Sequence, residues 1–237
     1  MTGKASALRS LAIVPARGGS QRIPNKNLAE VGGRSLVRRA LEAALRATHP
    51  DRVVLSSDHD PILDEGRDVP GVQVIPRPRR LATPRATSYS VVMHVLEEVE
   101  RSLDFTYEAV ALIQCTSPFT SAGDIDGALR LMERTGAGSV FTVTQVDHGL
   151  HPEKFRRFDG DRLIPLGDDV VPRAAHELSD LWVNNGSVYV SSRATLEAGS
   201  LASNDLCGYP MPPERSLDIN APLDLAFARF IADSPET

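Results

Sequence analysis

Apolar runs and polar punctuation alternate along this chain with two periods. Residues 11–14 form an unbroken apolar run stopped by Pro15, and Leu36, Val37, Ala40, Leu41, Ala44 and Leu45 repeat at the spacing of one helix face. Residues 52–56 and 72–75 read as strands on either side of a short helix at 61–67. Residues 90–101 predict a helix with Val91, Val92, Val95, Leu96 and Val99 on its buried side. The run at 109–113 is apolar at every position, as in a strand covered on both faces of a parallel sheet. A helix at 123–134, strands at 139–144 and 186–191 and a closing helix at 222–231 complete the pattern. Such alternation predicts a single α/β domain over residues 1–237, a doubly wound, mostly parallel sheet with ligands at the carboxyl ends of its strands.

The alternation breaks at about Val146. Residues 146–181 hold several prolines, mixed charges and the segment FRRFDGDRLIPL, in which Asp159-Gly160 signals a hairpin turn. This excursion reads as an arm for a partner subunit or as a lid.

Composition narrows the classes. A 237-residue chain with 41% hydrophobic residues suits one soluble globular domain, and a net charge of −5 argues against a general nucleic-acid binder. No apolar run approaches the roughly 20 residues of a membrane span. The opening MTGKASALRS lacks the apolar stretch of a secretory signal, so a cytoplasmic protein is expected. Cys115 and Cys207 stand alone, as reduced structural cysteines do, and His59, His94, His148, His151 and His176 have neither metal nor triad spacing.

Candidate chemistry concentrates in residues 11–27, LAIVPARGGSQRIPNKN. A strand tip runs into Arg17, Gly18, Gly19 and Ser20, followed by Arg22, Pro24, Lys26 and Asn27. Paired glycines let backbone N–H groups approach an anion, and the cations supply charge, so the loop suits a polyphosphate. It has neither the G-x-x-x-x-G-K-[ST] nor the G-x-G-x-x-G spacing. The chain has only three lysines, so Lys26 runs against its preference for arginine. A lysine is a compact, mobile charge suited to following a phosphate.

The order A-R-x-G-S-x-x-I-P-x-K-N resembles the acylneuraminate cytidylyltransferases. The likeness continues through VVLSSD (53–58), RPRRLAT (77–83), LIQCTSP (112–118), NNGSVYV (184–190) and SLDINAPLDL (216–225). The resemblance implies a nucleotidyltransferase fold with a protruding dimerisation arm, exchanged between the subunits of a homodimer. It also implies a Mg²⁺-assisted reaction in which CTP and an acidic sugar give a CMP-sugar and pyrophosphate. Arg17 and Lys26 would contact the phosphates, Ala16, Gly18, Gly19 and Ser20 would cradle them, and Asn27 would read the nucleotide. The roles of Gln21 and Arg22 stay open. Arg77, with Ala86 and Thr87 at the end of its loop, would recognise cytosine.

For the acceptor, the resemblance points to Gln114, Thr116, Ser117, Arg173, Asn185 and Tyr189, although Thr116 and Ser117 equally suit a turn cap. Asp218 matches the first of two metal-binding aspartates. Asn220 replaces the second; its amide oxygen can ligate Mg²⁺ directly or through water but adds no charge. Asp224 suits the start of the last helix. Other departures are Phe119-Thr120 in place of leucine and arginine, Val183 in place of an arginine, and Ala174-Ala175 after Arg173. They leave open a differently decorated nonulosonate or another acid, such as a phosphonate. Asn220 also leaves open a catalytically weakened nucleotide-binding homologue.

Overall fold

The computed structural model describes residues 8–20, 22–166 and 178–234. Strand β1 (Ser10–Pro15) lies in a seven-stranded sheet between β4 (Arg52–Ser57) and β6 (Ala109–Ile113), parallel to both. Beyond β4 lies the parallel β5 (Val72–Pro76). On the other side β10 (Trp182–Ser192) runs antiparallel between β6 and β7 (Ser139–Gln145), and β11 (Leu206–Pro210) closes the edge parallel to β7. The order is β11-β7-β10-β6-β1-β4-β5, so the chain leaves β1 first toward one edge and later toward the other. That reversal opens a crevice at the carboxyl ends of β1 and β6.

Strand alternation divides the core. Ala12, Val14, Val53 and Leu55 face helices α1 (Leu36–Arg46), α2 (Asp60–Arg67), α4 (Ala122–Thr135) and α6 (Pro222–Asp233). Leu11, Ile13, Val54, Val110 and Leu112 face α3 (Ser88–Glu100) and α5 (Arg193–Glu197). Helix starts are sequence-encoded: Ser35 and Thr87 cap α1 and α3, and Ser121 with Asp124 forms a capping box on α4.

The expected strands and helices are all present. Absent from the sequence reading were β2 (Glu30–Val31), β3 (Arg34–Ser35), α5, β11 and the first four residues of β10. Strand β11, LCGYP, contains glycine and proline and lacks a β-propensity signal; its pairing with β7 supplies the order that its composition does not. Within residues 146–181, β8 (Arg156–Asp159) and β9 (Arg162–Pro165) form the expected hairpin. Asp159 pairs with Arg162, so the turn residues are Gly160 and Asp161, one position later than the Asp159-Gly160 reading.

Candidate active site

Pro15 ends β1 at the crevice, and the loop that follows is tied down on both sides. The Ala16 amide donates to Ser56 O (2.9 Å), continuing the ladder beyond the strand. Gly18 N–H donates to Asp58 Oδ1 (3.0 Å), and a Cβ at Gly18 would lie 2.7 Å from that of His59, so only glycine fits. Asn27 is buried and its Nδ2 donates to Arg17 O (2.9 Å), closing the loop on itself. These ties frame a cavity of about 400 Å³ lined by Arg17, Ser20, Arg22, Lys26 and Asn27. Its other walls are Arg77, Leu81, Thr83, Pro84, Ala86 and Thr87 after β5, Gln114, Cys115 and Thr116 after β6, and Asn220 before α6.

The cavity is rich in unneutralised positive charge. Lys26 Nζ donates to Ile219 O (2.8 Å). Its pKa is held below the ordinary lysine value, chiefly by burial and further by the nearby Arg17 and Arg22 charges, while Asp218 opposes the shift. A polyphosphate would relieve that strain by supplying the missing negative charge. Arg77 is buried, its Nη2 donating to Ser56 O (2.7 Å) and its Nε to Ser56 Oγ (3.3 Å), so part of its donor fork is spent on β4. Burial lowers its pKa and Asp58 opposes that. The Cys115 thiol, fully buried, is pushed up to about 12 and stays protonated near neutral pH. It is a wall, not a nucleophile.

The remaining site residues belong to a seam beside the cavity. Gln114 N donates to Ser187 O (3.0 Å), Ile219 N to Thr116 O (2.8 Å), and the buried Ser117 Oγ to Gly186 O (3.0 Å). Gln114 and Thr116 still line the cavity, whereas the Ser117 hydroxyl is occupied inside the seam. Asn185 is also buried and internally bonded, so the structure gives it no free polar edge for an acceptor. Tyr189 stacks edge-on against Phe141, with ring centres 4.7 Å apart. Its phenol pKa is raised by burial and then by the Asp218 charge. Arg173 lies outside the described residues.

Asp218 Oδ2 accepts from Asn220 Nδ2 (2.7 Å), while its Oδ1 is buried without a hydrogen-bond partner. An orphaned carboxylate oxygen of this kind suits a cation. Among the described residues no group of three or more His, Cys, Asp or Glu side chains could form an all-protein metal cage. The donor set therefore fits a hard divalent ion that takes most of its oxygens from phosphate and water. Asp224 accepts from the Asn220 and Ala221 amides (2.8 and 2.7 Å), as the start of α6 requires.

Two contributors were not singled out from the sequence. Asp58 ties the Gly18 amide, and Ser216 anchors the segment that carries Asp218. Asp58 directly follows a strand expected to end at the crevice, and that position was a usable signal. Ser216 had none.

The cytidylyltransferase family profile matches residues 11–157. The N-acylneuraminate cytidylyltransferase of Oncorhynchus mykiss is 31% identical over 95% of this chain, which spans about half (52%) of that relative's length. The pseudaminic acid cytidylyltransferase of Campylobacter jejuni is 25% identical over 94% of this chain and 96% of its own. The CMP-N,N'-diacetyllegionaminic acid synthase of Legionella pneumophila is 28% identical over 95% and 97%, respectively. The fold matches a CMP:2-keto-3-deoxy-manno-octonic acid synthetase complexed with CTP at a TM-score of 0.69 and 16% identity, covering 94% of this chain and 98% of that one. It also matches the 4-diphosphocytidyl-2C-methyl-D-erythritol synthase of Anaerococcus prevotii at 0.66 and 16%, covering 97% and 100%. With its cation-lined crevice at the tips of β1 and β6, this chain belongs to the cytidylyltransferase family and is similar to members that act on acylneuraminate, pseudaminic and legionaminic acids.

Proposed function

We propose that this chain joins CTP to a sialic-acid-like acidic sugar, giving a CMP-sugar and pyrophosphate. The observation that carries this reading is the convergence of Arg17, Arg22 and Lys26 on one cavity that also borders Asn220 and, beside it, Asp218. An acceptor hydroxyl oxygen forms a bond to the α-phosphorus of CTP, the bond from that phosphorus to the bridging oxygen breaks, and the hydroxyl proton is lost. No enzyme-bound intermediate is needed. The protein supplies alignment and charge. Arg17 and Lys26 hold the phosphates with Ser20 beside them, the Gly18 amide being committed to Asp58, and Asn27 with the Arg77–Thr87 loop receives the nucleoside. Gln114 and Thr116, on the β6 side of the same cavity, are placed for the acceptor.

Asp218, with Asn220 beside it, would hold Mg²⁺, which when bound neutralises phosphate oxygens and raises the electrophilicity of phosphorus. The apolar side chains exposed on the arm (Leu150, Phe155, Phe158, Leu163 and Leu166) support a homodimer in which the arm crosses to a partner. Cys115 and Cys207 are unpaired, in keeping with the reducing cytoplasm. No helix among the described residues is long and apolar enough to cross a membrane.

A second reading concerns the acceptor alone. Val183 is half exposed at a position where the family resemblance implies an arginine, which favours a differently decorated nonulosonate or a phosphonate as the acid. One experiment tests both readings: CTP, Mg²⁺ and a panel of acidic acceptors are combined, and pyrophosphate and CMP-conjugates are measured. CTP-dependent turnover with a sialic acid supports the first, and turnover only with a differently decorated nonulosonate or another acid supports the second. CTP binding without turnover on any acid would leave a nucleotide-binding homologue.

A further inference from the structure

Strand β10 loses register with β7 between Asn184 and Tyr189, and the irregularity places Gly186 at φ +75°, directly against Asp218. A Cβ at Gly186 would lie 3.3 Å from both Cγ and Oδ2 of that carboxylate. The preceding residue, Asn185, is 5% exposed and its amide makes four hydrogen bonds. Ser187 N–H can only donate, so the atom facing it at 3.2 Å is the amide oxygen, which also accepts from Thr142 Oγ1 at 2.7 Å. The amide nitrogen then donates to Met211 Sδ (3.2 Å) and Ser216 Oγ (2.9 Å), and Ser216 passes its own proton to Pro212 O (2.8 Å). The bonds run in one direction, Asn185 to Ser216 to Pro212, and their middle member lies two residues before Asp218. From the β6 side, Thr116 O receives the Ile219 amide, and Ser117 Oγ donates to Gly186 O. The segment 216–219 is therefore gripped from two strands while one Asp218 oxygen is left unbonded.

We infer that Asn185 is a positioning residue for Asp218 and not a contact to the acceptor: its amide fixes the segment that aims the carboxylate, and Gly186 leaves room for it. This rests on the proposed metal role of Asp218. An aspartate at 185 would place a second acceptor against Ser216 Oγ, whose proton is already given to Pro212. Ser216→Ala removes the anchor while leaving Asn185 in place, and Ser216 does not line the cavity.

The test uses the full chain with CTP and Mn²⁺ as a paramagnetic probe. Mn²⁺ affinity of the CTP complex is read by electron paramagnetic resonance, and acceptor KM with the most active acid of the panel. The Asp218 position is read from a crystal structure of Ser216→Ala. Both Asn185→Asp and Ser216→Ala should weaken Mn²⁺ binding roughly tenfold or more, the usual consequence of disturbing the partners of a metal ligand. Acceptor KM should stay within about twofold, and Asp218 should move away from Gly186. A raised acceptor KM in Asn185→Asp with unchanged Mn²⁺ affinity would make Asn185 a sugar contact and overturn the inference. So would an unmoved Asp218 in Ser216→Ala, which remains decisive if Asn185→Asp does not fold. Asp218→Asn is the separate control. If it binds Mn²⁺ as tightly as the unaltered protein, the metal reading fails, and the crystal structure alone decides the positioning role.

Discussion

The opening loop and the seam behind it present similar polar chemistry to opposite ends. In residues 16–27 the side chains of Arg17, Ser20, Arg22 and Lys26 border an open cavity, and the loop is shaped largely by backbone ties to Ser56 and Asp58. In the seam, Ser117, Asn185, Ser187 and Thr142 are buried and bonded to one another or to neighbouring backbone. Thr120 and Ser187 share a further short hydroxyl contact. A family motif marks both regions equally. Only packing separates a side chain that meets a ligand from one that holds such a side chain in place.

Asp218 stands where the two regions meet, and its loss should be the severest. Asp218→Asn is expected to lower kcat by roughly 10³-fold, as for several kcal/mol of lost charge stabilisation, measured by pyrophosphate release. Activity close to that of the unaltered protein would move the metal elsewhere. Next is Lys26→Ala, expected to cost roughly 10²–10³-fold in kcat, the range for one pre-positioned donor. An unchanged turnover would take the opening loop out of the mechanism and erase the contrast with the seam.

Lys26 also sharpens the comparison through pH. Burial and two arginines lower its pKa in the free protein, and the negative charge of bound phosphates is expected to raise it again. CTP binding therefore favours the protonated lysine. Affinity should be fully present below the lowered pKa and fall as pH rises through it, with proton uptake on binding in that window. Calorimetry of CTP binding in buffers of different ionisation enthalpy would detect the uptake, and Lys26→Arg should remove it. Uptake persisting in Lys26→Arg would assign the proton to another group.

The smallest expected effect lies deepest in the seam. Thr142→Val removes one of the two donors to the Asn185 amide oxygen and should cost about 1–2 kcal/mol of stability, read by thermal or denaturant unfolding. The same change removes the acceptor of the Val188 amide, so a variant as stable as the parent would mean that the seam depends on none of the Thr142 hydroxyl bonds. The arm offers a third kind of surface, apolar and exposed. Phe158→Asp should shift a dimer toward monomer in light scattering, whereas a monomeric parent would deny the arm its proposed role.

The fold was legible wherever the apolar period was long. The 109–113 run, the α1 stripe and the valine face of α3 each became the element their spacing implied. The opening loop was legible because its glycines and cations are close in sequence. Arg77 and Asn27 line the cavity as the motif suggests, yet nothing in the motif indicates that their donors are partly committed to Ser56 and Arg17. Asn185 and Ser117 match the motif equally well and face inward. Asp58 and Ser216 stand inside the VVLSSD and SLDINAPLDL segments, yet their individual roles were not legible there because their partners lie 40 and 31 residues away.

By itself, the sequence determined the alternating elements, the two buried faces of the sheet and the cluster of charge after β1. Those follow from side-chain period, β-branched and apolar content, and chemistry contained within a dozen residues. The tertiary structure decided that β11 closes the sheet, that Asn185 serves the segment bearing Asp218, and that one oxygen of that carboxylate is left unbonded. The physical reason is that a hydrogen-bonding side chain carries no record of its partner. The direction in which it donates, and whether anything remains for a ligand, is fixed only when distant strands are brought to hydrogen-bonding distance.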